Sequence, residues 1–242
     1  MKNQKVEIFT SIENLARSSA KFIRNKTEEL TEERHFNIAL SGGSTPKVIY
    51  QYIADNFGER INWKKINIFW GDERCVPPQN IESNYRMANE TLLKNVSIPE
   101  ENLFRIRGED DPGTEAIRYS EQIKNNVPTK NGAPQFDLVI LGIGDDGHTA
   151  SIFPNQMDLF FSKNICVNTV HPQTKQNRIS ITGQIINNAS SVVFIASGES
   201  KAIIVSKIFN EGDNFVVPAS LVKPVDGELI WMLDSDAAQL IK

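Results

Sequence analysis

Cysteine is scarce: Cys75 and Cys166 are the two among 242 residues, far apart and in no CxxC pair. That excludes a disulfide framework or a zinc knuckle and suggests a reducing compartment, so a cytoplasmic location is expected. Histidine is almost as sparse. His35, His148 and His171 fall in no HxxxH or HExxH spacing, so no metal site is expected. No apolar run approaches the roughly 18 residues needed to span a bilayer. The first stretch, MKNQKVEIFTSIENLARSS, has neither an apolar h-region nor a small-residue cleavage site, so no membrane partner is expected. An excess of positive charge is also missing: 26 Lys and Arg stand against 30 Asp and Glu, a net charge of −4. No nucleic-acid partner is expected on that balance. Net charge does not govern local charge, and a basic pocket for a small anion remains open.

What is present is an ordinary globular balance, with 40% apolar and 23% charged residues. A chain of this length buries roughly 70–75% of its unfolded surface, so it holds a core without staples. No internal repeat, low-complexity tract or long linker interrupts it, and one domain over residues 1–242 is expected. Thr10 and Glu13 form a capping-box pattern ahead of Ile12, Leu15, Ala16, Phe22 and Ile23, which recur at helical spacing. Phe36 to Leu40 reads as a strand. A helix follows with Pro46 at its first position and Val48, Ile49, Tyr52 and Ile53 on its buried face. Ile66 to Trp70 reads as a strand ending in a loop over 71–78. Helices are expected over Asn84–Leu93, over Pro112–Ile123 after an Asp111 cap, and over Ala202–Phe209. The run Phe136–Leu141, apolar but for Asp137, fits a central parallel strand covered on both faces. Arg178–Thr182, Val192–Ala196 and Leu229–Leu233 are further strands. The alternation predicts an α/β fold: an open, mostly parallel Rossmann-like sheet with helices on both faces. Ligands of such sheets sit beyond the carboxyl ends of the strands.

The unusual loops fall there. Ser41-Gly42-Gly43-Ser44-Thr45-Pro46 joins a strand to a helix. Its glycines allow close backbone approach, its hydroxyls donate, and the helix start supplies free N–H groups, a combination that binds phosphate. A mere turn and cap needs one Gly and one Ser or Thr; here both are doubled. No Gly-Lys-Ser/Thr follows, so it is not a Walker loop. Gly142, Gly144 and Gly147 satisfy GxGxxG after a strand, but Asp145 and Asp146 would repel a pyrophosphate. Pro154 leaves less than two helical turns after His148, and the next strand, Ile165–Thr169, offers no acid for a ribose. No dinucleotide cofactor is therefore expected. What remains is Asp146-Gly147-His148, in which a carboxylate two residues before an imidazole can orient it and raise its basicity. Asp72, Glu73 and Arg74 read by default as a solvated charge run. Arg178 opens a strand, and Lys201 sits in the first turn of a helix, against the dipole unless it faces an anion. His35 reads as structural, and His171 is left without a role.

Taken together, SGGSTP (41–46), GDERCVP (71–77), Ser83-Asn84, LGIGDDGHTASIFP (141–154), NRISIT (177–182), GESKA (198–202) and Pro218-Ala219-Ser220 resemble the 6-phosphogluconolactonases, within the glucosamine-6-phosphate deaminase/isomerase superfamily. The resemblance covers nearly the whole chain. It implies hydrolysis of 6-phospho-D-glucono-1,5-lactone to 6-phosphogluconate, the second step of the oxidative pentose phosphate pathway, with no metal or organic cofactor. It implies that Gly43, Ser44, Thr45, Arg178 and Lys201 hold the 6-phosphate, that His148 activates water beside Asp146, and that Asp72 and Arg74 line the lactone end.

Departures separate the superfamily members. The deaminases resemble one another in a DEY second loop and in a Glu within an NEP segment after the DGH loop. Here Arg74 stands for that Tyr, and Phe153 of Ser151-Ile152-Phe153-Pro154 stands for that Glu. Both fit a lactonase. Lactonases often carry Pro before the Asp of the DGH loop, and Asp145 takes that place. A small-molecule sugar-phosphate lactone is the expected partner, and the chain is expected as a monomer or weak homo-oligomer. Two other readings stay open: a sugar-phosphate deaminase or isomerase on the same scaffold, and a sugar-phosphate sensor without turnover. A sensor usually adds a DNA-binding module, and no spare helix-turn-helix segment is read at either end.

Overall fold

The computed structural model describes residues 4–30 and 34–242, so the first three residues of the stretch read for a leader lie outside it. In chain order the elements are β1 (Gln4–Phe9), α1 (Ile12–Glu29), β2 (Phe36–Leu40), α2 (Ser44–Phe57), β3 (Ile66–Trp70), β4 (Asp72–Arg74), α3 (Asn84–Thr91), α4 (Pro112–Asn126), the hairpin β5 (Thr129–Lys130) and β6 (Ala133–Pro134), β7 (Leu138–Leu141), β8 (Cys166–Val170), β9 (Asn177–Ile181), α5 (Gly183–Asn188), β10 (Ser191–Ala196), α6 (Ala202–Glu211), β11 (Glu228–Asp234) and α7 (Ser235–Ala238).

Six strands form one sheet in the order β1-β11-β10-β7-β2-β3, every pair parallel. The strands β2, β7 and β10 are buried along their whole length, as strands covered by helices on both faces must be. The expected open, parallel Rossmann-like sheet is the observed one. Its order carries a consequence for function. From β2 the chain steps outward to β3, then returns to place β7 on the other side of β2 and continues through β10 and β11. The order reverses between β2 and β7, and the crevice beyond that reversal is where such sheets hold ligands. The loops after β2 and β7 flank it. A second, antiparallel sheet, β4-β9-β8, continues from the end of β3.

Several local expectations shift. Ser11, not Thr10, caps α1: its hydroxyl accepts from the Asn14 N–H at 3.3 Å, while Thr10 Oγ1 takes the Asn14 side chain at 2.9 Å. Helix α2 starts at Ser44, so Pro46 is its third residue rather than its first. Its inner face is Thr45, Pro46, Ile49, Tyr50, Ile53 and Phe57, with Val48 exposed and Tyr52 half-buried. Asp111 caps α4 as expected, accepting from the Thr114 N–H at 2.9 Å, and that helix runs on to Asn126. Helix α3 ends at Thr91, short of Leu93. Part of the expected 71–78 loop is the strand β4, and β1, absent from the sequence reading, pairs along β11 from Gln4–Leu229 to Phe9–Asp234.

Candidate active site

The first loop is built on β2 and α2. Ser41 exchanges backbone hydrogen bonds with the buried Tyr50 hydroxyl, which accepts from its N–H at 3.0 Å and donates to its carbonyl at 2.9 Å. That pins the turn against the first residues of α2. Gly43 precedes the helix at φ +109°, a backbone region that favours glycine, and it is exposed together with Ser44. Gly42 lies so close to Asn84 that a Cβ there would sit 1.8 Å from Asn84 Oδ1. Thr45 Oγ1 meets Ser197 Oγ at 2.7 Å, joining this loop to the end of β10. In the sequence Ser197 carries no mark but its place right after a strand.

The loop after β7 folds back on itself. Gly144 N–H donates to the His148 carbonyl and Gly147 N–H to the Gly144 carbonyl, both at 2.9 Å. Within the turn, His148 Nδ1 and Asp146 Oδ1 are 2.6 Å apart, and the same oxygen accepts from the His148 backbone N–H at 3.0 Å. Partial burial pushes the Asp146 carboxyl up, but the ring and backbone donors of His148 outweigh it and bring it down to about 2. An ionised Asp146 fixes the imidazole proton on Nδ1 and leaves the Nε2 lone pair free to accept one. No helix follows this loop directly; the next element is a short 3₁₀ segment, Pro154–Phe161. The GxGxxG spacing therefore serves the turn and lacks the helix a dinucleotide fingerprint needs.

Phe153, fully buried, is the platform beneath the catalytic candidate. Its ring lies 4.8 Å from that of His148 and 5.1 Å from that of His171, and the Arg178 guanidinium sits 5.8 Å from its centroid. Arg178 is the second residue of β9, not its first, and pairs in register with Arg74 of β4. Burial pushes the Arg178 pKa down, and the neighbouring Arg74 charge adds to that. Both Nε atoms are buried without a partner. Two adjacent guanidiniums concentrate positive charge at this point, although the chain as a whole is acidic. Arg74 also donates to the Glu82 carbonyl at 2.7 Å. His171 is held below its ordinary range by burial and then by the Arg178 charge, and its Nδ1 accepts from the Gln173 and Thr174 N–H groups.

Asp72 is buried. It accepts from Ser151 Oγ at 2.5 Å and from Asn84 Nδ2 at 3.3 Å, so it ties the loop after β7 to the start of α3. Glu73 is not the solvated charge expected of it: it is 2% exposed. Its carboxylate accepts from the backbone N–H groups of Arg74, Asn84 and Tyr85 and from the Ser83 hydroxyl. Lys201 ends a 3₁₀ turn, Glu199–Lys201, immediately before α6, and its Nζ donates to Asp145 Oδ1 at 2.6 Å. The expected residues thus fall into two groups: the first loop and the segment after β10, where Thr45 meets Ser197 and Lys201 meets Asp145, and the residues tied to Phe153, where Asp146 holds His148 and Arg74 pairs with Arg178; Asp72 is held by Ser151 and Asn84. Arg178 belongs to the second group. Cys75 is no rival nucleophile, since burial and the Glu73 charge push its thiol up to about 11. Among the described residues, no group of three His, Cys, Asp or Glu side chains could hold a metal ion, and no helix is long and apolar enough to cross a membrane.

Residues 10–231 match the family described as glucosamine-6-phosphate isomerases/6-phosphogluconolactonase. The chain is 42% identical over 207 residues to a 6-phosphogluconolactonase of Haemophilus influenzae, covering 85% of this chain and 87% of that one. It superposes on the crystal structure of a devB protein with a TM-score of 0.93 at 36% identity, over 99% of this chain and 100% of the other. The 6-phosphogluconolactonase of Trypanosoma brucei gives a TM-score of 0.86 at 27% identity, over 98% of each chain.

Proposed function

The chain belongs to the glucosamine-6-phosphate isomerase/6-phosphogluconolactonase family, and from that premise we propose that it hydrolyses 6-phospho-D-glucono-1,5-lactone to 6-phospho-D-gluconate, the second step of the oxidative pentose phosphate pathway. The observation that carries the reading is the Asp146–His148 contact of 2.6 Å beyond the end of β7, beside the reversal of strand order.

His148, neutral and with Nε2 free, takes a proton from water as the water oxygen adds to the lactone carbonyl. The carbonyl electrons move onto oxygen, where Arg74 or nearby backbone N–H groups stabilise the charge. Collapse re-forms the carbonyl and breaks the bond to the ring oxygen, which takes the proton from the His148 imidazolium. General-base assistance of this kind supplies roughly 10²–10⁴-fold. A δ-lactone is reactive enough for that to be most of the acceleration required. No Ser stands in a G-x-S-x-G elbow, so no acyl-enzyme is invoked.

The 6-phosphate binds away from the bond that breaks, at Gly43, Ser44, Thr45 and Lys201, with Arg178 reaching from the second group. Its binding energy positions the lactone and selects against unphosphorylated sugars. Asp72 and Arg74 line the lactone end. A metal or organic cofactor has no role in this scheme, and the partner is the small sugar-phosphate lactone, in a reducing cytoplasmic setting.

The test is a coupled assay with freshly generated lactone, using 6-phosphogluconate dehydrogenase to report product and subtracting spontaneous hydrolysis. The wild type accelerates hydrolysis, and His148→Ala loses roughly 10²–10⁴-fold of kcat. Acceleration that survives in the variant would remove His148 as base. Ammonia release from glucosamine 6-phosphate, with no lactone turnover, would favour the deaminase reading instead. Phe153 counts against that reading, because a fully buried phenyl ring stands where the deaminases resemble one another in a carboxylate.

A further inference from the structure

The Lys201–Asp145 pair joins two loops 56 positions apart in the chain, one after β10 and one after β7, neighbouring strands on the same side of the reversal of strand order. Its members differ in setting. The Lys201 side chain is 26% exposed and the Asp145 side chain 72% exposed. The carboxylate is therefore the partner more open to solvent, free to swing away from the ammonium. Asp145 also adjoins Asp146, whose carboxylate is turned the other way, onto His148.

We propose that Asp145 is an internal counter-ion that occupies Lys201 in the empty site and is displaced by the incoming phosphate, so that it sets the affinity of the phosphate subsite. The proposal rests on the reading of Lys201 as a phosphate-binding residue. An ammonium is a compact point charge with three donors, and it takes either a carboxylate or a phosphate oxygen. A phosphate dianion outcompetes a single carboxylate, particularly when it is also held by Gly43, Ser44 and Thr45. An ion pair as exposed as this one holds its members by a factor of only about two to five. It is tight enough to neutralise the lysine when no ligand is bound, and loose enough to yield. The cost to phosphate binding is that same factor, and it falls equally on substrate and product, which hastens release of a phosphorylated product.

The test is a titration of inorganic phosphate followed by phosphorus NMR line broadening at low ionic strength, with no lactone present. Four proteins are compared: wild type, Asp145→Asn, Lys201→Ala and the double variant. Asp145→Asn is expected to tighten phosphate binding about two- to fivefold, and its effect should vanish in the Lys201→Ala background. Equal or weaker binding in Asp145→Asn, while Lys201→Ala still weakens binding, would overturn the counter-ion role and leave the phosphate reading of Lys201 intact. The same tightening with and without Lys201 would also overturn it, since the effect would then be a diffuse field of one carboxylate. Unchanged phosphate binding in Lys201→Ala would defeat the reading of that lysine itself, and the proposal with it.

Discussion

Asp146 grips His148 at two points with one oxygen: Oδ1 lies 2.6 Å from the ring Nδ1 and 3.0 Å from the backbone nitrogen. The carboxyl's descent from 3.8 to about 2 has a sign that can be followed. A carboxyl depressed in the folded protein contributes stability that is fully present above its unfolded value and lost as pH falls through its folded value. The melting-temperature gap between wild type and Asp146→Asn should therefore close as pH drops from about 4 towards 2. At neutral pH the same variant should lose about 10²-fold in kcat. That is less than the ~10⁴ of a buried triad carboxylate, because Asp146 is partly open to water. Any loss of activity between pH 7 and 4 then reports a group other than Asp146. A stability gap that widens as pH falls from about 4 towards 2 would contradict the assignment.

Gly144 protects the imidazole by having no side chain. A Cβ there would lie 2.0 Å from His148 Nδ1 and 2.8 Å from Asp146 Oδ1, so the ring has to swing off its partner. Gly144 is not among the positive-φ glycines, so alanine is tolerated by its backbone. Gly147 differs: at φ +85°, with Val217 2.7 Å from a built Cβ, alanine there strains the chain itself. Gly144→Ala is expected to stay folded by circular dichroism while losing at least about 10²-fold in kcat, approaching His148→Ala. Near wild-type turnover in Gly144→Ala would show that the ring position seen here is not the working one.

The legible parts of the fold were those whose signal is local. Strands β7 and β10 read as unbroken apolar runs because both of their faces are covered, and Asp111 announced α4 from the adjacent position. Strand β1 gave no such signal. QKVEIF alternates polar and apolar over only four residues, Lys5 to Ile8, and lies at the sheet edge with Val6 and Ile8 42% and 55% exposed, so no long run and no buried face marks it. Thr10 and Ser11 are equally good caps by composition, and only the geometry of the first turn chose between them. Strand β4 exists because Asp72, Glu73 and Arg74 pair with residues more than a hundred positions away. The site followed the same division. Asp146 and His148 share one turn and were found together. Ser197 beside Thr45, Ser151 beneath Asp72 and Asp145 on Lys201 are partners assembled by the sheet, and spacing along the chain does not encode them.

Glu73 shows what such an assembly costs to disturb. Oε1 accepts the N–H groups of Arg74 and Asn84 at 2.8 and 2.7 Å, and Oε2 accepts Tyr85 N–H at 2.8 Å and the Ser83 hydroxyl at 3.0 Å. Glu73→Gln is consequently not conservative. Whichever way the amide is turned, its NH₂ faces at least one backbone N–H, which is left buried without an acceptor. That costs about 1–3 kcal/mol, measurable by urea unfolding near pH 4. Burial pushes the Glu73 carboxyl up and the four donors pull it down, with burial the stronger, so it sits above its ordinary 4.5. The sign follows. A carboxyl raised in the folded state contributes stability below its unfolded value and gives it up as pH rises towards its folded value. Glutamine does not titrate, so the gap between wild type and Glu73→Gln should narrow from pH 4 to 7. A gap that grows over that range would mean that the donors at the start of α3 outweigh burial, and that Glu73 is held as an anion.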